Sequence, residues 1–189
     1  MTEDIPAKPD TFYARTKLAA ERTVFGAKRR DGQPLGTILR FAAIYGPRIK
    51  GNYQRLVQAL ARGRFIPIGD GSNRRTLIYD RDVAQAAVLA VPNPAAIGKI
   101  FNVSDGHFHT LNDIINTICE ALDRTPPRIS LPVGPVRWIV GILEDIGRKI
   151  GYQLPVGRAT IDKYTEDIAV SSQRIQNELG FKPRHDVSG

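Results

Sequence analysis

Tyr13 and Lys17 stand four residues apart in Phe12-Tyr13-Ala14-Arg15-Thr16-Lys17, a stretch that reads as the start of a helix. Positions i and i+4 share a helix face, so the phenol and the ammonium point the same way. A tyrosine with a pKa near ~10 is a poor base at neutral pH, and a neighbouring cation favours its phenolate. Lowering that pKa by about 3 units takes roughly 4 kcal/mol of differential interaction. A close cation in a water-poor site, helped by a bound cofactor's charge, can supply it. The pair is therefore a candidate general base with its activating charge. A half-buried ring beside a solvated ammonium is the other reading of the same spacing.

The elements that must position this pair follow from local pattern. Pro6 and Pro9 hold the first residues extended, and Asp10 or Thr11 is a suitable N-cap for a helix over 12–30, closed by Asp31-Gly32. Residues 36–44 form a short apolar run of the kind expected for a buried parallel strand, broken by Tyr45-Gly46-Pro47-Arg48. Ligands of open α/β sheets bind outside the carboxyl ends of strands, so this break is a candidate site; a plain strand-to-loop turn is the alternative.

Beyond it the pattern predicts a helix over 53–62, a strand over 65–68 and the turn cluster Gly69-Asp70-Gly71-Ser72-Asn73. A strand over 74–79, a helix over 80–91 and a strand over 99–103 come next. Thr110 caps a helix over 111–122, and 133–150 reads as an amphipathic helix. Short helices near 158–164 and from Ser171 or Ser172 to Leu179 complete the chain, the last ended by Gly180. Strands alternating with helices define an α/β class with a mostly helical tail.

A chain of 189 residues with 42% hydrophobic content can bury a proper core. It has no apolar run of the ~18 residues that a membrane span needs, and its acidic start lacks a signal-peptide core, so a cytoplasmic location is expected. The single Cys119 excludes an internal disulfide and a cysteine-based zinc cluster, and with three scattered histidines no metal site is expected. The net charge of +8 suits an anionic partner. The basic residues are dispersed, however, and no aromatic-interleaved stripe accompanies them, so nucleic acid is not the expected partner.

Six signals in order carry a resemblance: Tyr13-x-x-x-Lys17; Leu39-Arg40-x-x-x-Ile44-Tyr45-Gly46-Pro47; Gly69-Asp70-Gly71-x-x-x-Arg75; Tyr79-x-x-Asp82-Val83-Ala84-x-Ala86; Ile100-Phe101-Asn102-Val103; and Leu179-Gly180-Phe181-x-Pro183. The chain resembles the extended short-chain dehydrogenase/reductase family in its NAD-dependent epimerase/dehydratase branch, and is most similar to UDP-N-acetylhexosamine 4-epimerases. The resemblance implies the C-terminal part of a doubly wound Rossmann-type parallel sheet, about 1–48 and 76–104, plus a small, mostly helical substrate lobe, about 49–75 and 105–189.

It implies Tyr13 as general acid and base, and Lys17 as the partner that holds the nicotinamide ribose and lowers the phenol's pKa. Phe41, Ala42, Ala43 and Ile44 would lie about the nicotinamide and sugar, with Tyr45 at the edge. Arg75 would meet the substrate diphosphate, and Asn52 the sugar. Asp82 is expected to orient a helix, and Arg74 to be a surface charge. The implied reaction is transient oxidation at C4 of a UDP-hexose or UDP-N-acetylhexosamine, with NAD or NADP as cofactor. A dehydratase, a reductase or another alcohol dehydrogenase of the family is the alternative, and a truncated, inactive binding module is the alternative of another class. The helix face not used by Tyr13 is a candidate homodimer surface, with packing inside one chain as the other reading.

The sequence departs from that family in one large respect. No Gly-x-Gly-x-x-Gly turn, ribose-binding acid or catalytic Ser or Thr precedes Tyr13. The expectation is a C-terminal portion whose cofactor is bound mainly by an N-terminal half, inactive by itself, with an exposed sheet edge and a tendency to associate. A smaller departure is Ala42-Ala43, where many relatives carry Pro or Asn.

Overall fold

Thr11 opens the first helix: its hydroxyl accepts the N–H of Ala14 at 3.1 Å, and α1 runs Phe12–Gly26. In this computed structural model, which describes residues 1–47, 50–152 and 156–187, α1 stops short of the expected Arg30. The chain doubles back instead. Ala27 is extended, Arg29 N–H donates to the Gln33 carbonyl at 2.8 Å, and Lys28 bridges Pro34 antiparallel.

The predicted strand over 36–44 becomes two. β1 (Ile38–Phe41) and β2 (Ala43–Tyr45) are separated at Ala42. β1 pairs in parallel with β5 (Ile100–Val103), Leu39 opposite Phe101, while β2 pairs in parallel with β4 (Leu77–Tyr79), Ile44 opposite Ile78. The predicted strand over 74–79 likewise divides at Thr76, because β3 (Arg74–Arg75) pairs antiparallel with β6 (His109–Thr110), which the sequence pattern did not reveal. The expected strand over 65–68 does not form. Pro67 has no N–H to donate and Gly69 turns away at φ 83°, leaving a single parallel bridge from Ile68 to Leu131. Arg48 of the predicted strand break lies outside the described residues.

Two compact units result. The first comprises residues 1–49, 76–107 and 169–189. Its core gathers Ile78, Ala86, Phe101 and Val103 with Ile175, Leu179 and Phe181. The tail is thus divided: residues 169–189, with α7 (Gln173–Leu179), belong to this unit, whereas the sequence reading grouped all of 105–189 with the substrate lobe. Physically, Ile175 and Phe181 are apolar side chains with a buried place beside β5 and α3 (Asp80–Ala90). Gly180 ends α7 in the left-handed region, φ 69°, as expected of a C′ glycine. α1, by contrast, buries none of its residues fully and is tied to β1 by the paired bonds from Arg40 to Glu21 at 2.6 and 2.8 Å.

The second unit comprises 50–75 and 108–168. Here α2 (Asn52–Ala61) packs on α4 (Leu111–Ala121) through Leu60, Leu111, Ile115 and Cys119. Thr110 and Asp113 form a capping box at the start of α4. The Gly69–Asn73 turn docks on that same helix start: Asn112 donates to the Asp70 carbonyl at 2.6 Å, and a Cβ on Gly71, φ 69°, would sit 2.0 Å from the Asn112 oxygen. α5 (Val133–Lys149) lies against α6 (Arg158–Thr165), joined by Arg137–Asp162 and Arg158–Asp145.

Candidate active site

Tyr13 occupies the first turn of α1 and is 71% exposed, and the Lys17 ammonium lies 5.5 Å from its ring centroid. That is cation–π distance, one helical turn along the same face, so the structure brings together the two side chains that the spacing singled out.

Along the strand run, exposure alternates. Phe41 and Ala43 are exposed, whereas Ala42 and Ile44 pack against the core of the first unit. Successive residues of a strand face opposite ways, so Phe41 and Ala43 present side chains outward, and Ala42 and Ile44 could meet a ligand only with backbone. Tyr45, expected at the site's edge, turns inward. Its ring packs on Tyr79 at 5.3 Å and its hydroxyl is buried without a partner. Burial, and then the charges of Asp105, Asp186 and Asp82, push its phenol well above the usual range. Tyr45 is consequently a neutral packing residue here. Gly46 follows at φ 147°, where a Cβ would come 2.7 Å from the Asp80 carboxyl carbon; the close approach of α3 to the strand end requires glycine.

In the second unit Asn52 is the exposed first residue of α2. Arg75 has a different occupation from the one expected of it. Its guanidinium donates to the carbonyls of Lys163, Tyr164 and Glu166, at 3.1 and 2.7 Å for the first two. These are C-terminal carbonyls of α6 and of the residue after it, groups that a helix leaves without internal partners. Arg74 pairs with Asp167 through backbone and side chain and packs over Phe108 at 6.0 Å.

Asp82 is the residue whose importance the sequence understated. Its carboxylate, 1% exposed, accepts the backbone N–H groups of Arg184 and His185 at 3.1 and 3.0 Å and lies 3.1 Å from His185 Nδ1. The His185 ring stacks on Tyr79 at 4.4 Å. An acid in the first turn of a helix was legible as an orienting residue, but its partner a hundred positions away was not.

Parallel strand pairs, outward side chains at their carboxyl ends and a Tyr–Lys pair on an adjoining helix mark an α/β fold of the Rossmann type. Residues 1–104 match the NAD dependent epimerase/dehydratase family, and the chain belongs to that family. It is 26% identical over 183 residues to the UDP-glucose 4-epimerase of Vibrio cholerae, covering 96% of this chain and 52% of that protein. It is 25% identical over 189 residues to the N-acetyl-alpha-D-glucosaminyl-diphospho-ditrans,octacis-undecaprenol 4-epimerase of Escherichia coli O157:H7, covering 98% and 56%. Among solved structures, the Bacillus cereus UDP-glucuronic acid 4-epimerase in complex with NAD superposes with a TM-score of 0.72 at 19% identity, over 100% of this chain and 52% of that one. The chain spans about half the length of the curated relatives it matches.

A nicotinamide cofactor is implied by that family, and the residues present can be tested for fit. The exposed Tyr13 and Lys17 and the outward Phe41 and Ala43 offer an acid–base group, a cation and an apolar surface, which suit the nicotinamide–ribose end. The 189 residues contain no glycine-rich Gly-x-Gly-x-x-Gly turn for the diphosphate.

Proposed function

We propose that this chain is the catalytic-tyrosine and substrate-binding portion of a sugar-nucleotide epimerase acting at C4 of a UDP-hexose or UDP-N-acetylhexosamine. The observation that carries the reading is the Tyr13–Lys17 pair, exposed on one face of α1. Tyr13 takes the proton of the C4 hydroxyl and returns it after the sugar has turned its other face. Lys17 holds the phenolate by its charge and the ribose hydroxyls by its three donors. Phe41 and Ala43 exclude water beside the reacting carbon. Arg75 meets the diphosphate, exchanging carbonyl partners for phosphate oxygens that a guanidinium binds more strongly. A nicotinamide cofactor bound beside Tyr13, Lys17 and Phe41 would supply reversible hydride transfer at C4. The cytoplasm is the proposed site of action.

The names of the relatives support this reading, since the matched proteins from Vibrio cholerae and Escherichia coli O157:H7 are both sugar 4-epimerases. The test is calorimetric titration of the chain with NAD, UDP and UDP-N-acetylglucosamine, each alone. Binding of UDP without NAD is the expected result, with the cofactor held mainly by residues outside these 189. Binding of neither UDP nor its sugar ester overturns the substrate assignment for this chain, and tight NAD binding places the cofactor site within it.

A further inference from the structure

α5 is turned inside out relative to an ordinary surface helix. Its small and charged side faces α6: a Cβ on Gly141 would collide with the Arg158 guanidinium at 2.2 Å, Arg137 pairs with Asp162, and Arg158 engages both Glu144 and Asp145. Its apolar side faces out. Trp138, Ile139, Ile142, Leu143 and Ile146, with Ile150 at the C-cap, are all in the exposed class, Trp138 at 69% and Ile150 at 73%. At 100° per residue these positions sweep an arc of roughly 140°. An apolar stripe of this extent left in water marks an interaction surface.

Charge decides what the stripe fits. The two acidic residues of α5 are both compensated, Glu144 and Asp145 by Arg158 and Asp145 also by the exposed Arg148, so the margin of the stripe carries no unpaired acid. The charged residue within the arc is Lys149, and Arg124 and Arg128 lie exposed just upstream of the helix. An exposed tyrosine, Tyr152, follows the helix and Trp138 stands near its start, the two side-chain types that favour a bilayer's headgroup level. The chain as a whole carries +8. An apolar arc with basic, aromatic margins complements an anionic lipid surface. No helix among the described residues is long and apolar enough to cross a membrane, so the contact is one of lying on the surface. We infer that α5 seats this chain on anionic phospholipid bilayers, its axis parallel to the surface and the stripe from Trp138 to Ile150 sunk to the acyl boundary.

Trp138 is the only tryptophan, so its emission reports this face alone. The chain is mixed with vesicles of phosphatidylcholine, or of an equimolar mixture of phosphatidylcholine and phosphatidylglycerol, the latter also prepared with brominated acyl chains. The expected result is co-sedimentation with the anionic vesicles, a blue shift of Trp138 emission, quenching by bromine, and loss of binding as salt rises. Ile142→Glu with Ile146→Glu should lower the bound fraction about tenfold or more, and Lys149→Glu about threefold. All three side chains are exposed, so far-ultraviolet circular dichroism of these variants should match the parent. Absence of binding to anionic vesicles, or binding that leaves Trp138 unquenched, overturns the proposal. So does a blue shift that grows with protein concentration in the absence of lipid, which assigns the stripe to a second copy of the chain.

Discussion

The Asp82 carboxylate and the His185 backbone are joined across 103 residues, and the same carboxylate holds the neighbouring N–H of Arg184. A fully buried acid with these partners is an anchor for the tail of the first unit. Asp82→Ala leaves two N–H groups without an acceptor and should destabilise by about 2–4 kcal/mol. Asp82→Asn keeps one acceptor oxygen and should cost less. Urea unfolding of the two variants measures both, and an Asp82→Ala midpoint equal to the parent's would show the anchor to be idle.

α1 buries none of its residues fully and depends on the Arg40–Glu21 pair for its tie to β1. Its amides should therefore exchange with solvent sooner than those of α4, which buries four residues. Arg40→Ala should accelerate exchange in α1 further while leaving α4 unchanged. Hydrogen exchange read by mass spectrometry tests this, and equal protection of the two helices would contradict it.

The capping box of α4 gives an acid-side dependence. The bonds from Thr110, side chain first and backbone next, hold the Asp113 carboxyl below its usual range. A carboxylate with a depressed folded pKa contributes stability that is present above its unfolded value near ~3.9 and lost as pH falls through the folded pKa. Parent and Asp113→Asn should thus differ most at neutral pH and converge below about pH 4. Thr110→Ala, which removes the cap itself, should cost about 1 kcal/mol at neutral pH. Melting curves across the acid range give both results.

Arg75 has two candidate occupations, and they separate by experiment. As a cap on the α6 carbonyls, its replacement by Ala should destabilise the second unit by about 1–3 kcal/mol. As the diphosphate contact of the proposed function, the same change should weaken UDP binding about tenfold or more. Calorimetry at a temperature where the variant remains folded distinguishes them, since UDP affinity that survives Arg75→Ala leaves only the capping role.

Cys119 is 1% exposed, and burial pushes its thiol up. It should react with an aromatic disulfide reagent at least about tenfold more slowly in the native chain than in urea. Native reactivity matching the denatured rate would mean that α4 opens readily.

Much of this was legible in local pattern. Tyr13 and Lys17 share a face because helical period fixes it, and Thr110, Gly180 and the amphipathic stretch over 133–150 announce their roles through capping chemistry and spacing. What escaped depends on partners distant in sequence. Nothing in Arg74-Arg75 states that this pair bonds to His109-Thr110 while Leu77 joins Ala43, so one predicted strand became two. The resemblance cast Arg75 as an anion contact, but a guanidinium also donates to helix-end carbonyls, and only the fold tells which stands nearby. The early end of α1 turned on the Lys28–Pro34 bridge, a pairing with no signal in helix propensity.

The first unit is threaded from three stretches, and its core closes on Ile175, Leu179 and Phe181. Its strands near Ile38 therefore wait for side chains translated long afterwards. On the ribosome this unit stays unfinished until synthesis passes Phe181, with Phe101 and Val103 uncovered in the interval. A stop codon only a few residues before Phe181 should leave a product that is degraded instead of folded.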